Sequence, residues 1–284
     1  MKNLIEIKGD ASHRKFFRKK NRNTSSIIVI SKKEKFKNLL VYDAINKILC
    51  KNKILAPTLL SENYSKNFIE IEDFGDDTIF NILSKKRYNK FFYFKKIILT
   101  LNEIQKIKDK SVKDFRNKTF LISKYNKEVL IKEANLFCEW YSKKKLPKND
   151  INKFSKKFKK ITKSLSENLK LKNNVFVHRD FHISNLMLVK NKIGVIDSQD
   201  ALLGNRAYDV ASLIDDVRLK TSKSLKNKIY KLYIQKQKKL DEKKFKNDFE
   251  ILSVLRNLKI IGIFTRLASR DGKKSYLKLI PYTW

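Results

Sequence analysis

Residues 175–200 read VFVHRDFHISNLMLVKNKIGVIDSQD, and no other stretch restricts the fold so tightly. Three short apolar runs, at 175–177, 186–189 and 193–196, are separated by polar residues. That pattern predicts an island of strands, with Lys190-Asn191-Lys192 turning the last two into a hairpin. Around these runs His178, Asp180, Asn185, Asp197 and Asp200 fall at close intervals. The chain has three histidines, and two of them, His178 and His182, lie here. The formal net charge is +37, so this gathering of acids and amides stands out from a lysine-rich background.

The rest of the chain organises around that island. Runs at 4–8, 13–18 and 26–31 alternate as short strands, and Phe36, Leu39, Leu40, Ala44 and Ile48 mark one face of a helix over 34–51. After Pro57 two more strand-like runs end in NFIEIEDFGD. Beyond Asp76 the periodicity is helical near 87–108, 123–143 and 150–169, with Leu146-Pro147 breaking two of these. Helices resume at 207–217, 222–239 and 242–268. The expected class is α+β. A small β-rich N-terminal lobe covers 1–75, a joining segment lies near 70–76, and a large, mainly helical lobe covers 76–284. Lys-rich segments such as 153–163 keep helical apolar spacing at Phe154, Phe158, Ile161 and Leu165, so they read as solvated helix faces.

Composition narrows the function classes. A hydrophobic fraction of 42% over 284 residues supports a packed core. The start has no apolar run long enough for a signal sequence, and no stretch is apolar enough to span a membrane. Cys50 and Cys138 are too few and too far apart for a disulfide framework or a metal cluster, so a reduced, cytoplasmic protein is expected. The positive charge raises nucleic acid as a partner. Against that, the lysines are spread along the whole chain, and arginine, the residue suited to forked phosphate and base contacts, supplies 11 of the 66 basic residues. Solvated lysines are the better reading, and a small molecule the expected partner.

The spacing of the central island matches one chemistry. Asp180 and Asn185 form D-x-x-x-x-N after a strand, and Asp197 follows a strand–turn–strand, the order used in kinase-type phosphoryl transfer. There, one carboxylate orients the acceptor hydroxyl and takes its proton. An amide oxygen and a second carboxylate hold Mg²⁺ against the ATP phosphates. Asp180 is therefore the candidate base and Asn185 and Asp197 the candidate metal ligands, with His178 and Asp209 bracing the loop. Asp73-Phe74-Gly75 spells a magnesium motif of protein kinases, but it precedes HRD and so stands in the wrong order. It suits the segment joining two lobes, where the backbone of Glu72 and Asp73 is a candidate adenine contact. The chain has no G-x-G-x-x-G, and SIIVIS contains no lysine for the phosphates, although Lys32 and Lys33 follow it. Only residues 198–208 separate Asp197 from Asp209, too few to present a peptide, so the acceptor is expected to be small.

These motifs resemble those of the aminoglycoside phosphotransferase/choline kinase superfamily. More closely, they resemble the bacterial anomeric kinases for N-acetylmuramate and N-acetylglucosamine. The likeness rests on GDASHRKFFR at 9–18, EDFGD at 72–76, NLFCEWY at 135–141, HRDFHISNLM at 178–187, VIDSQDALLGNRAYDVASLIDD at 195–216 and RNLKIIGIFTRLASRDGKKSYL at 256–277. It implies a two-lobed, protein-kinase-like fold and ATP- and Mg²⁺-dependent phosphorylation of a sugar's anomeric hydroxyl, within peptidoglycan recycling. Ser12, His13 and Lys32 join Glu72 and Asp73 as candidate nucleotide contacts. Glu139, Trp140, Asp200 and Arg256 are candidates for the sugar pocket. Two departures from the pattern are the absent strand lysine and Ser198, which stands where an aromatic residue is common.

Overall fold

The computed structural model describes residues 4–7, 14–31, 38–85 and 88–284. They form two compact units, Met1–Ile122 with Ile183–Ala201, and Ser123–His182 with Leu202–Trp284. This division by contacts is a different partition from the lobe boundary expected near 70–76.

The first unit is built on a five-stranded antiparallel sheet: β1 (Leu4–Ile7), β2 (Lys15–Lys20), β3 (Ser25–Ile30), β4 (Leu59–Asn63) and β5 (Phe68–Glu72), in the order β1-β2-β3-β5-β4. Period-2 alternation puts Ile27 and Val29 of β3 and Ile69 and Ile71 of β5 on one face, where β-branched side chains pack well on a pleated surface. Helix α1 (Asn38–Lys51) covers that face with Leu39 and Tyr42. The expected start of this helix at 34–37 lies outside the described residues. Two helices follow, α2 (Ile79–Ser84) and α3 (Lys90–Lys106), the first capped by Thr78 and the second by Asn89. A short hairpin of β6 (Ser111–Lys113) and β7 (Thr119–Leu121) was not legible as strands. Its turn rests on Asp114, whose carboxylate accepts the backbone N–H groups of Arg116 and Lys118.

Past β8 (Val175–Val177), which belongs to the second unit, the central island returns to the first unit as the hairpin β9 (Leu186–Val189) and β10 (Lys192–Val195). Lys190 and Asn191 both have positive φ, 45° and 66°, as a two-residue hairpin turn of this twist requires. The hairpin docks through backbone bonds, from Leu188 N–H to the Asp77 carbonyl at 2.8 Å and from Val195 N–H to that of Leu55 at 2.8 Å. A Cβ on Gly194 would lie 2.9 Å from the Phe74 ring, so the glycine makes room for the aromatic of the Asp73-Phe74-Gly75 segment.

The second unit is mainly helical. It contains α4 (Lys127–Ala134), a π-helical turn over Phe137–Ser142, the short α5 (Lys143–Lys145), α6 (Lys148–Glu167), α7 (Ala207–Ile214), α8 (Lys223–Gln235) and α9 (Glu242–Arg270). A further strand, β11 (Leu202–Gly204), pairs antiparallel with β8. Phe154 and Phe158 of α6 pack on a core of Phe137, Cys138, Ile261, Phe264 and Leu267, which leaves the lysines of that helix to solvent. Gly262 lets α9 approach the chain at Leu136, whose carbonyl carbon would lie 2.3 Å from an added Cβ. Asp248 is fully buried yet satisfied. Its carboxylate accepts Lys170 N–H and Leu171 N–H at 2.8 Å each and Asn205 Nδ2 at 2.6 Å. Among the described residues no helix is long and apolar enough to cross a membrane.

Candidate active site

The candidate residues divide between the units. His178, Asp180 and Asp209 lie in the second, and Asn185, Asp197 and Asp200 in the first.

In the second unit the loop begins where β8 ends. Asp209, on the first turn of α7, has a fully buried carboxylate that accepts the backbone N–H of His178 at 2.7 Å and of Arg179 at 3.0 Å. Two amides on one carboxylate fix the loop backbone just ahead of Asp180, including Arg179 at φ 73°, a conformation β-carbon-bearing residues seldom hold unaided. Burial pushes the Asp209 carboxyl up to about 7, against the pull of those two N–H groups.

The Arg179 side chain is equally constrained. Its guanidinium pairs with Glu133 of α4 and lies 5.2 Å over the Tyr125 ring. Glu133 also accepts the Tyr125 hydroxyl, and its Oε1 lies 3.0 Å from Nζ of Lys259 on α9. Lys259 is buried, and Glu133 and Asp180 are partly buried. Against the burial of its own carboxyl, Lys259 and Arg179 hold Asp180 well below the usual carboxylate range. Asp180 is thus ionised at neutral pH and available to accept a hydrogen bond from a hydroxyl and orient it. His182 has the opposite fate: burial, with Arg218 adding to it, pushes its imidazole down to about 3, so it stays neutral.

In the first unit Asn185 and Asp197 are brought together. Asn185 ends a 3₁₀ turn, and its carbonyl accepts the N–H of Ile196 at 3.0 Å, directly before Asp197. Asp197 itself adopts φ 61°, ψ 39°, which carries its carboxylate off the strand line. Its Oδ1 lies 2.9 Å from Nη2 of Arg14, a buried guanidinium set between the rings of Phe16 and Tyr42 at 5.8 and 5.7 Å. The next residue anchors the turn to α1: Ser198 Oγ donates to Asn46 Oδ1 at 2.6 Å, and Asn46 Nδ2 donates to the Pro57 carbonyl at 2.8 Å. This gives Ser198, the odd residue of the motif, a structural reason. An amide residue and a carboxylate residue brought close along the backbone, the carboxylate already facing a cation, are a donor pair suited to a hard ion that takes its other ligands from phosphate and water. Among the described residues no three His, Cys, Asp or Glu side chains gather as a protein-only metal cage.

The remaining candidates are placed as follows. Asp73 takes Arg18 in a forked pair at 2.6 and 3.1 Å, and the same guanidinium reaches Asp76 at 2.7 Å and the Gly75 carbonyl at 3.0 Å. Glu72 accepts the Thr58 hydroxyl at 3.1 Å. Both side chains thus serve the unit's own network. Asp200 is exposed and accepts Gln199 Nε2 at 3.0 Å. Glu139 and Trp140 lie in the π-helical turn, Glu139 exposed and accepting Asn135 Nδ2 at 3.0 Å, Trp140 half-buried. Arg256 is buried on α9, among charges that include Asp209 and Asp216. Ser12, His13 and Lys32 lie outside the described residues. The sequence reading passed over Arg14, Glu133 and Lys259. Arg14 and Lys259 sit inside quoted motif segments, but one lysine in a lysine-rich chain carries no signal of its own.

Residues 3–234 match the model of the family described as "Phosphotransferase enzyme family". The chain belongs to that family, and it is an ATP-dependent phosphotransferase acting on a hydroxyl group. Over 284 residues it is 28% identical to the N-acetylmuramate/N-acetylglucosamine kinase of Neisseria meningitidis serogroup B, covering 96% of this chain and 80% of that protein. Among solved structures, the ADP-bound aminoglycoside phosphotransferase APH(2'')-Ib superposes with a TM-score of 0.65 at 17% identity, covering 99% of this chain and 91% of that one. A Plasmodium vivax ethanolamine kinase gives 0.66 at 14% identity, covering 99% and 82%. The fold is therefore the α+β, two-lobed, protein-kinase-like fold of these enzymes, with a small antiparallel-sheet lobe and a larger helical one.

Proposed function

We propose that this protein is a cytoplasmic sugar kinase that phosphorylates the anomeric hydroxyl of N-acetylmuramate, N-acetylglucosamine or both, in the recycling of peptidoglycan. The observation that carries the reading is the end-to-end likeness to a kinase bearing that name. The short passage from Asp197 through β11 into α7 supports a small acceptor, because it leaves no segment to present a peptide. In this reading Asp180 accepts a hydrogen bond from the anomeric hydroxyl and takes its proton as the oxygen bonds to phosphorus, with ADP as leaving group. Asp209 and the Arg179–Glu133–Lys259 cluster hold that carboxylate in place and in charge. Asn185 and Asp197 hold Mg²⁺, which when bound offsets charge on the phosphates of ATP. The backbone of 72–73, with Ser12, His13 and Lys32, contacts the nucleotide. Glu139, Trp140, Asp200 and Arg256 contact the sugar.

The test is ATP consumption with N-acetylmuramate, N-acetylglucosamine, choline, homoserine and an aminoglycoside, followed by phosphorus NMR of the product. An anomeric phosphate on an N-acetylated hexosamine is expected. A 6-phosphate defeats the anomeric assignment, and turnover confined to choline, homoserine or the antibiotic defeats the sugar.

A further inference from the structure

In the kinase pattern a lysine on the third strand grips the nucleotide phosphates, and β3 here, SSIIVI, has none. The helix behind it offers no substitute strand–helix pair: the buried acid of α1, Asp43, bonds Lys47 on its own helix at 2.7 Å. A different cation stands in the same unit. Arg14 directly precedes β2, is buried between Phe16 and Tyr42, and reaches the candidate metal ligand Asp197 at 2.9 Å. From these observations we infer that Arg14 is a phosphate-binding cation of this enzyme, taking the part of the absent strand lysine. The inference rests on the kinase reading above.

The physical case has three parts. A guanidinium presents a planar fork that can bridge a carboxylate and a phosphate oxygen at once, which a lysine ammonium cannot match geometrically. Flanking by two aromatic faces keeps that fork oriented while removing it from water, which strengthens its pull on an anion. Finally, a cation so near Asp197 suits a state without nucleotide. An arriving divalent ion competes for the same carboxylate oxygen, and phosphate charge then gives Arg14 a new partner.

The experiment separates phosphate binding from support of the fold. ADP and adenosine are titrated calorimetrically into wild-type protein, Arg14→Gln and Arg14→Lys, in excess Mg²⁺ and again in excess EDTA. Losing one charge-assisted contact to phosphate should weaken ADP about 10- to 100-fold in Arg14→Gln. Adenosine, which lacks phosphate, should bind as in wild type. Arg14→Lys keeps the charge and most of the stem and should fall in between for ADP alone. Should Arg14→Gln fail to fold, the comparison of ADP with adenosine in Arg14→Lys decides. Unchanged ADP affinity overturns the inference, and so does an equal loss for ADP and adenosine, which marks a structural role only. Absence of any nucleotide binding by wild type even in excess Mg²⁺ instead overturns the kinase reading, and this inference with it.

Discussion

Asp180 and Asp197 are both loop carboxylates that follow short strands, yet their surroundings differ in kind. Asp180 sits on a backbone clamped by Asp209, amid the partly buried Arg179 of its own loop and the buried Lys259 of α9, which are tied together by Glu133. Asp197 has a side chain 36% exposed and pairs with the Arg14 guanidinium. The first arrangement fixes a charge by surrounding it, and removing any one member leaves another buried charge uncompensated. The second meets its cation at a partly exposed side chain, where a metal or an anion can take over the contact. A base whose ionisation must not vary calls for the first, and a ligand that must change partners calls for the second.

The largest effect should come from the exchangeable carboxylate. Asp197→Ala is expected to leave no detectable turnover while circular dichroism still shows the native fold, with a lowered melting temperature because the buried Arg14 loses its carboxylate partner. Retained activity would remove Asp197 from the metal role and the comparison with it. Asp180→Asn should cost about 10²–10⁴-fold in kcat, the usual contribution of a positioned proton acceptor, with little change in nucleotide affinity. A variant as active as wild type excludes Asp180 from the chemistry.

Lys259→Met sharpens the contrast from the other side. Met retains the volume of the lysine stem but leaves Glu133 with Arg179 as its remaining cation, so a loss of about 3 kcal/mol in stability is expected. The same change removes the main charge holding Asp180 below its ordinary range, so its carboxyl should rise. The acid limb of the pH profile of kcat/KM should therefore move to higher pH. A destabilised variant whose acid limb does not move would show that Lys259 supports the helices and not the charge of Asp180.

What the sequence disclosed follows the same division. The β9–β10 hairpin, the helical face of α1 and the order Asp180, Asn185, Asp197 were legible because local spacing encodes them. The pairing of Asn185 with the residue before Asp197 follows directly from hairpin register. What surrounds the two aspartates was not legible, since it comes from residues distant in the chain: 183 positions separate Arg14 from Asp197 and 46 separate Glu133 from Arg179. No local period carries such a pairing. Strands β6, β7 and β11 were missed because, unlike the wholly apolar, β-prone VFV of β8, their three residues carry no clear strand signal and are held by partners the sequence does not name. The π-helical turn at Phe137–Ser142 likewise reads as ordinary helix, because its apolar spacing is nearly helical.

His182 gives the smallest effect near neutrality and a distinct one in acid. Its imidazole is buried among Arg218, Asp216, Asp180 and Arg256, and burial first, then Arg218, lowers it to about 3 from an ordinary value of 6.5. The sign follows from proton binding. Between pH 6.5 and 3 the unfolded chain takes up a proton that the folded chain refuses, so stability from this group is complete above 6.5 and drains away as pH falls towards 3. A depression of this size corresponds to roughly a few kcal/mol at the acid end. His182→Gln has no proton to refuse, so its stability curve should be flatter than wild type between pH 6.5 and 3, while the two differ by a nearly constant amount above 7. Urea unfolding at half-unit pH intervals measures this. Parallel curves through the acid range would mean that His182 is charged in the folded protein, and that Asp216 and Asp180 outweigh burial and the two arginines around it.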